Sequence, residues 1–481
     1  AGDKNMAKLT KSTLVSTLLI MLVGSFTPPA RAQCGEISFL EAIQEALNAN
    51  QALAATRQTL DSQEKDVAIA RAKMLPRLTG AGSGIISSGA TFSASAGIIP
   101  EQTAQAAGLL QQTLYNQAYI DSLGAQKHLY DSQQSDYQNA RAQTIAGAGQ
   151  DYVGVLLAEA LLSVQQQNVE LTTASVEITK SQEQAGAVLY RDVLRWQSQL
   201  YADQQGVVTQ KSNVLMSRFT LNQTRNRPSE EVCTLQDLSV ERDGFVFSSP
   251  SVLEVVSDDA KASVIRDYLV ELGVDRSPQI RGLDARIRSQ SRTAKSARRW
   301  LIPSLEASLA GAVFLKTGGQ GSGSADQERD TGDSFWQAQA VLGWNIFDGG
   351  QFISSMNLEK AVLHSLHSQR TETATALEES IRGTVAVATA SVQNIALSQL
   401  QTEAATQNYE LVNEAYLEGE ANFLELLDSQ QQLLNAEKAA MQALYGFLSD
   451  LLVVEQSINY FPFMEADANA RVRELEARLR E

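Results

Sequence analysis

The stretch that most constrains the fold is residues 351–457, which have the pattern of a very long helix, a tight turn and a returning helix. Between residues 351 and 417 there is no proline and one glycine, Gly383. Apolar side chains recur there at helical spacing, with polar residues between them. A helix of this length would span roughly 100 Å, which is wider than a compact domain. It needs a neighbour along its length, so the pattern predicts a coiled-coil-like hairpin in a large assembly.

Composition and motifs exclude several classes of protein. The chain has 481 residues, a net charge of −16 and 6% aromatic residues, which favours helix packing over a dense globular core. The acidic balance argues against nucleic-acid binding. There is no G-x-S-x-G, Walker or C-x-x-C motif, and His364 and His367 have no evident third metal ligand. We therefore expect no enzyme, metal or cofactor.

The N-terminal segment has the layout of a secretory signal. Lysines precede an apolar run at residues 14–26, and an A-x-A cleavage sequence follows at residues 30–32. The run is too short for a transmembrane helix. Residues 1–32 are therefore expected to be a signal peptide.

The two cysteines of the chain, Cys34 and Cys233, allow one disulfide bond in an exported protein. Two unpaired thiols are the alternative. A lipoprotein signal needs a small residue before its cysteine, but Gln33 precedes Cys34, so lipidation is the weaker interpretation.

An internal repeat of about 230 residues organises the chain. Three landmarks recur in order, at offsets of 227, 232 and 233: the segment before Pro76 and Pro303, the end of the second strand, and the segments that begin at Gly186 and Gly419. The predicted divisions are 33–228 for the first repeat, 229–277 for an inter-repeat segment, 278–460 for the second repeat and 461–481 for a tail.

Each repeat predicts the same series of elements. In the first repeat these are helices at 37–48 and 52–75, two strands within about 79–115 and a helical hairpin at 117–225. In the second they are a helix at 280–302, two strands within about 304–347 and the hairpin at 351–457. In each, the short helix and the returning helix together approach the length of the long helix. This predicts that the short helix stacks end to end on the returning one.

The strands of the second repeat alternate between apolar and polar residues. The apolar face of the first strand contains Leu305, Ala307, Leu309, Val313 and Leu315. The apolar face of the second strand contains Trp336, Ala338, Ala340, Leu342, Trp344 and Ile346. On one strand, Trp336 and Trp344 would be roughly 27 Å apart, or about 20 Å in height after tilting. This suits the aromatic girdles of an outer-membrane barrel, and the alternative is a soluble sandwich. Four strands cannot close a barrel, whereas three chains would supply twelve.

These features together resemble the TolC family of outer-membrane efflux proteins. The motifs are ALNAN (46–50), AKMLPRL (72–78), NIFDGG (345–350) and YLEGEANFLELLDSQQQLLNAE (416–437), and the resemblance covers about 37–460. It implies a homotrimer in the outer membrane, in which a twelve-stranded β-barrel continues into a long periplasmic α-helical barrel. It also places Cys34 and Cys233 in or near an equatorial belt, which makes their pairing sterically plausible.

The resemblance implies a passive duct that is closed at its periplasmic tip. Tyr416 occupies the position of a gate tyrosine, and Glu425 and Asp428 occupy two acidic constriction positions, with Asp192 matching in the first repeat. A trimer would place six carboxylates around the lumen, which would favour cations. The alternative is that Glu425 and Asp428 belong to an ordinary solvated helix face.

The resemblance also implies partners. A periplasmic adaptor would dock at the tip turns around Gly186 and Gly419, and an inner-membrane transporter would supply energy. The sequence departs from the family at Ala421, where a gate arginine is expected, and Arg191 or Arg195 could replace it.

Two alternatives for function stay open. The duct could serve type I protein secretion or multidrug efflux, which the sequence does not separate. A different class, a periplasmic coiled-coil structural or adaptor protein without a membrane barrel, predicts solubility without detergent.

Overall fold

The structure is a computed structural model that describes residues 35–88, 90, 102–239, 244–245, 259–318 and 334–464. The predicted signal peptide, Cys34 and most of the C-terminal tail lie outside these residues. The described elements are strands β1 (Glu36–Ile37), β2 (Arg77–Ile86), β3 (Gln102–Tyr115), β4 (Thr234–Leu235), β5 (Ser304–Gly318) and β6 (Ser334–Gly343), and helices α1 (Phe39–Ala49), α2 (Gln51–Ala72), α3 (Gln117–Gln184), α4 (Tyr190–Thr224), α5 (Asp259–Arg276), α6 (Pro278–Arg298), α7 (Gln351–Glu418) and α8 (Phe423–Ser457).

The chain divides into two compact units. Unit 1 comprises Ala1–Ala46, Ala148–Ser239 and Thr402–Tyr445, and unit 2 comprises Leu47–Gly147, Val240–Gln401 and Gly446–Glu481. The long helices α3 and α7 contribute residues to both. Each has 68 residues, and the returning helices α4 and α8 have 35 each.

The two repeats are visible in how their long helices end. Gly186 and Gly419 follow α3 and α7 with φ values of +76° and +81°, a backbone region that only glycine adopts without strain. In both turns the glycine N–H donates to the carbonyl three residues earlier, and the next N–H donates to the carbonyl five residues before it. This is the Schellman arrangement, so the predicted turns are confirmed as turns.

The returning helices end in the same way, and the sequence reasoning missed it. Asn226 and Asn459 have positive φ values of 53° and 50°, which asparagine tolerates better than most residues. The N–H of the following residue donates to the carbonyl five residues back, at 2.8 Å after Asn226 and 2.9 Å after Asn459. Their offset equals that of the two turn glycines.

The four long strands of unit 2 form one antiparallel sheet in the order β2-β3-β5-β6, so the central pair joins the two repeats. Leu305 lies opposite Leu342 and Leu309 lies opposite Ala338, so the apolar faces predicted for the two strands lie on the same side of the sheet. A register shift interrupts β5 at Leu315, because its neighbours pair with consecutive residues of β3.

The prediction that Trp344 and Ile346 lie on a strand is wrong. The ladder between β5 and β6 ends where Ser304 meets Gly343. The residue before Ser304 is Pro303, which has no N–H to donate, so pairing stops there. Trp336, in contrast, lies on β6 opposite Gly311. The distance worked out along a single strand therefore does not apply to the two tryptophans.

Unit 1 carries a small parallel pair, β1 with β4. The buried Tyr152 hydroxyl of α3 lies 2.9 Å from the carbonyl oxygen of Ile37 and 2.8 Å from that of Gln236. The ring of Phe39 packs edge-on against the ring of Tyr152, with 5.6 Å between centroids. Together these contacts fix α1 and the strand pair to α3.

Cys233 lies in the same part of unit 1. It is buried and disulfide-bonded, but Cys34 lies outside the described residues, so their pairing stays a prediction. The neighbouring Arg225 is 1% exposed and forms an ion pair with Glu45 at 2.6 Å. Glu45 also accepts a hydrogen bond from Arg227 at 2.7 Å.

Arginine–aspartate ion pairs join α6 to both long helices in unit 2. Two of the pairs start from residues within α6, and the third starts from its C-cap residue, Arg299, so α6 is held between α3 and α7. The pairs are Arg286–Asp136 at 2.8 Å, Arg299–Asp121 at 3.2 Å and Arg370–Asp284 at 2.6 Å.

Candidate functional site

The sheet of unit 2 exposes both of its faces. Every residue of β2 and β6 is exposed, and each of these strands pairs on one side only within the described part of the chain. A sheet in water buries at least one face. Here one face presents exposed apolar side chains such as Leu78, Trp336 and Leu342. The arrangement suits a sheet with lipid on one side and further strands at its edges.

One described helix, α3, also contains a segment long and apolar enough to cross a membrane by length and composition. Half of that segment is buried inside the protein. This is a common property of core helices, so it gives only weak evidence for a helical span.

At the turns of the two long hairpins lies a buried group that we call the tip cluster. It consists of Val176 on α3, Trp196 on α4, Tyr416 on α7 and Leu426 on α8. One residue comes from each helix, so the cluster holds both hairpins together. Phe423 packs edge-on against Trp196, with 5.0 Å between ring centroids.

Tyr416, the predicted gate tyrosine, lies inside this cluster and is 4% exposed. Its hydroxyl oxygen is 2.9 Å from that of Thr179 on α3. The structure therefore places this tyrosine between the hairpins of one chain, where it forms a hydrogen bond from one hairpin to the other. Tyr409, at the edge of the cluster, has its pKa raised by burial.

Trp196 is a site residue that the sequence reasoning missed. It is fully buried, and its indole N–H has no hydrogen-bond partner among the residues that the structure describes. An unpaired buried donor costs about 1–3 kcal/mol, so the tip cluster does not satisfy the polar group of this side chain. No motif marked it, because a lone tryptophan in a helix usually belongs to a core.

Glu425 takes part in a helix cap. The side-chain oxygen of Asn422 accepts from the N–H groups of Leu424 and Glu425 at 2.8 and 3.2 Å. The Glu425 carboxylate accepts from the Asn422 N–H at 2.9 Å. This reciprocal pattern is a capping box, and the spacing N-x-x-E is a sequence signal that could have revealed it. The gate role of Glu425 stays a prediction.

Asp428 lies one turn further along α8 and is exposed, as is Glu425. Its carboxylate accepts a hydrogen bond from Gln432 at 2.7 Å. The two acidic residues thus share an exposed helix face, which is compatible with both the gate and the solvated-face interpretations.

Asp192 occupies the position of Glu425 in the first repeat, but the N-cap residue of its helix is Leu189, which forms no side-chain cap hydrogen bond. Asp192 instead lies 3.5 Å from Arg195 and 3.8 Å from Arg191. The Arg195 guanidinium also lies over the ring of Phe423, 5.7 Å from its centroid. Arg195 therefore connects α4 to the first turn of α8, and its role as a replacement for the gate arginine stays a prediction.

Within the described residues, no group of three or more His, Cys, Asp or Glu side chains is placed to hold a metal ion.

A model of the family described as "Outer membrane efflux protein" matches residues 42–226 and 269–459. Among solved structures, the chain is similar to the CmeC outer membrane channel of Campylobacter jejuni, with 18% identity over 92% of this chain and 89% of that one and a TM-score of 0.69. It is also similar to the open MtrE outer membrane channel of Neisseria gonorrhoeae, with 17% identity over 88% of this chain and 89% of that one and a TM-score of 0.67. At such identities the likeness establishes the fold alone. No curated protein matches the chain.

The family match covers both repeats and most of the chain. It confirms the resemblance, the outer-membrane localisation with a periplasmic helical part, and the role as an exit duct for export. Nothing supports the alternative of a periplasmic scaffold without membrane strands. The chain belongs to the outer membrane efflux protein family.

Proposed function

We propose that three copies of this chain form a passive export duct whose closed state is held by the tip cluster. The observation that carries the proposal is the sheet of unit 2, whose two faces are exposed and whose edge strands β2 and β6 each lack a second neighbour among the described residues. The β2 edge of one copy can pair with the β6 edge of the next, and three copies close a barrel of twelve strands.

The helical part supports the same assembly. On α4 of unit 1, Leu194, Tyr201, Val208 and Leu215 recur every seven residues and are 48%, 62%, 69% and 49% exposed. A seven-residue apolar repeat is the pattern of a helix that supercoils with a partner. A neighbouring copy is the partner that a closed ring of helices would provide.

Val208→Lys tests this contact, because it places a charge in the middle of the stripe. The measurement is the mass of the detergent-solubilised protein by light scattering. We expect three copies for the wild type and smaller species for Val208→Lys. Asn213→Lys on the same helix is a matched control, because it introduces the same charge at an exposed position five residues from Val208, about 140° around the helix from the stripe. A variant that keeps the wild-type mass would contradict the assigned seam.

In this proposal the tip cluster is the contact that must break for the duct to open. Its four residues come from four helices, so separating the α3–α4 hairpin from the α7–α8 hairpin disperses the cluster. In the closed trimer, Glu425 and Asp428 of each copy would line the narrow lumen and favour cations. An adaptor would engage the exposed turns at Gly186 and Gly419, and an inner-membrane transporter would drive transport.

The acidic gate is tested by cation selectivity in planar bilayers. Glu425→Gln combined with Asp428→Asn removes the charges and keeps the capping box, because glutamine can serve in the same role. We expect this double variant to lose selectivity. The control is Glu403→Gln combined with Glu410→Gln, which removes the same charge from exposed positions of α7. Unchanged selectivity in the gate variant would leave Glu425 and Asp428 as a solvated helix face.

We also propose that the duct serves small-molecule efflux and not type I protein secretion, because the description of the matched family names efflux. Deletion of the gene should then raise the intracellular level of dyes and antibiotics. A deletion that blocks secretion of a protein and leaves dye accumulation unchanged would favour type I secretion.

A further inference from the structure

A second buried group lies next to the tip cluster, and its side chains are polar. It consists of side chains from α3, α4 and α8, all in unit 1, and we call it the buried polar layer. Its members are Gln165, Asn168, Thr172, Gln199, Asp203 and Gln430. All are buried except Gln199, which is half-buried.

A chain of hydrogen bonds crosses this layer from one hairpin to the other. The side-chain amide of Gln430 on α8 donates to the Thr172 hydroxyl at 2.7 Å and to the Asn168 side-chain oxygen at 2.9 Å. The Thr172 hydroxyl donates to the Asp203 carboxylate on α4 at 2.6 Å. Thr172 therefore links Gln430 to a buried carboxylate.

The Asp203 carboxylate has a second hydrogen-bond donor and a cation nearby. Its other oxygen accepts from the Gln199 amide at 3.0 Å. Lys438 on α8 donates to the Gln165 side-chain oxygen at 2.7 Å, and the charge of Asp203 partly opposes the lowering of the Lys438 pKa by burial. The layer thus contains a buried negative charge with a cation nearby.

The layer and the tip cluster are adjacent along the same helices. Thr172 lies four residues before Val176 on α3, and Gln430 lies four residues after Leu426 on α8, so one helical turn separates the two groups on each helix. If α8 slid by one turn against α3, the Gln430 amide would lose Thr172 and Asn168 and would be buried without partners.

We propose that the buried polar layer fixes the axial register of α8 against α3 and α4, and so keeps the tip cluster assembled in the closed duct. Apolar side chains can pack in several registers, whereas buried polar groups find their partners in one. Gln430, Thr172 and Asp203 are then positioning residues that act through Tyr416 and its neighbours. This inference rests on the proposed gating function.

Thr172→Val tests the proposal, because valine keeps the shape and removes the hydroxyl. Loss of a hydrogen bond to a buried charge shifts an equilibrium by about tenfold or more, so channel openings in planar bilayers should become more frequent by that factor. Thr173→Val is the matched control, since the Thr173 hydroxyl donates within its own helix to the Val169 carbonyl. Thr172→Ser restores a hydroxyl and should restore the closed state.

Gln430→Leu gives an independent test, with the exposed Gln431→Leu as its control. Because Gln430 and Thr172 share a hydrogen bond, their effects on opening should be non-additive in the double variant. Variants that lower the unfolding temperature but open no more often than the wild type would overturn the register role. A wild-type protein without any conductance would instead contradict the proposed duct.

Discussion

Removing one hydroxyl group from the tip cluster should loosen the closed duct by a calculable amount. The Tyr416 and Thr179 hydroxyl oxygens are 2.9 Å apart, and the Thr179 hydroxyl is also 2.7 Å from the Ser175 carbonyl. Tyr416→Phe therefore removes one buried hydrogen bond, while Thr179 keeps a partner and the ring stays packed. Such a bond contributes about 0.5–1.5 kcal/mol, which corresponds to a roughly two- to twelvefold shift toward the open state.

The assay is the open probability of single channels in planar bilayers, measured for the wild type, Tyr416→Phe and Tyr409→Phe. Tyr409 lies two turns earlier on α7, at the edge of the same cluster, so the two variants share a helix and a chemical change. We expect more frequent opening in Tyr416→Phe alone. Equal open probabilities for Tyr416→Phe and the wild type, or for the two variants, would refute the role of this hydrogen bond in closure.

Three further predictions concern stability, measured by thermal unfolding. Gly419→Ala should destabilise by about 1–2 kcal/mol because its φ is +81°, and Gly419→Asn should cost less; equal losses would contradict the strain argument. Asn422→Ala should cost about 0.5–2 kcal/mol by removing the α8 cap, whereas Asn435→Ala, on an exposed face of the same helix, should cost less. Burial raises the pKa of Asp151, against the hydrogen bond from Thr224. The folded state then retains this proton longer, so stability should fall as the pH rises from the unfolded pKa of about 3.9 through the folded pKa; an unchanged pH slope in Asp151→Asn would contradict this.

The long hairpins and their turns could be predicted from sequence because their signals are local. Absence of proline, helical spacing of apolar residues and a glycine at each turn act within a few residues of where they are read. The repeat was also readable, since Gly186 and Gly419 recur at a fixed offset. Two other local signals were overlooked. The N-x-x-E spacing of Asn422 and Glu425 indicates a capping box, and Asn226 and Asn459 recur at the same offset as the two glycines.

Other features depend on contacts between distant segments and could not be predicted in this way. Periodicity shows that one face of α7 is apolar, but it does not say that Tyr416 meets Thr179 on another hairpin. The strand pattern extended to Trp344 because apolar alternation continues past Gly343. The ladder stops there because of Pro303 on the neighbouring strand, a cause that lies outside the segment itself.

The central claim, that copies of this chain form a duct through the outer membrane, is tested most directly by adding the purified mature protein to a planar lipid bilayer. The account predicts discrete conductance steps that are small and cation-selective. Absence of conductance from protein that remains monomeric and soluble without detergent would contradict it.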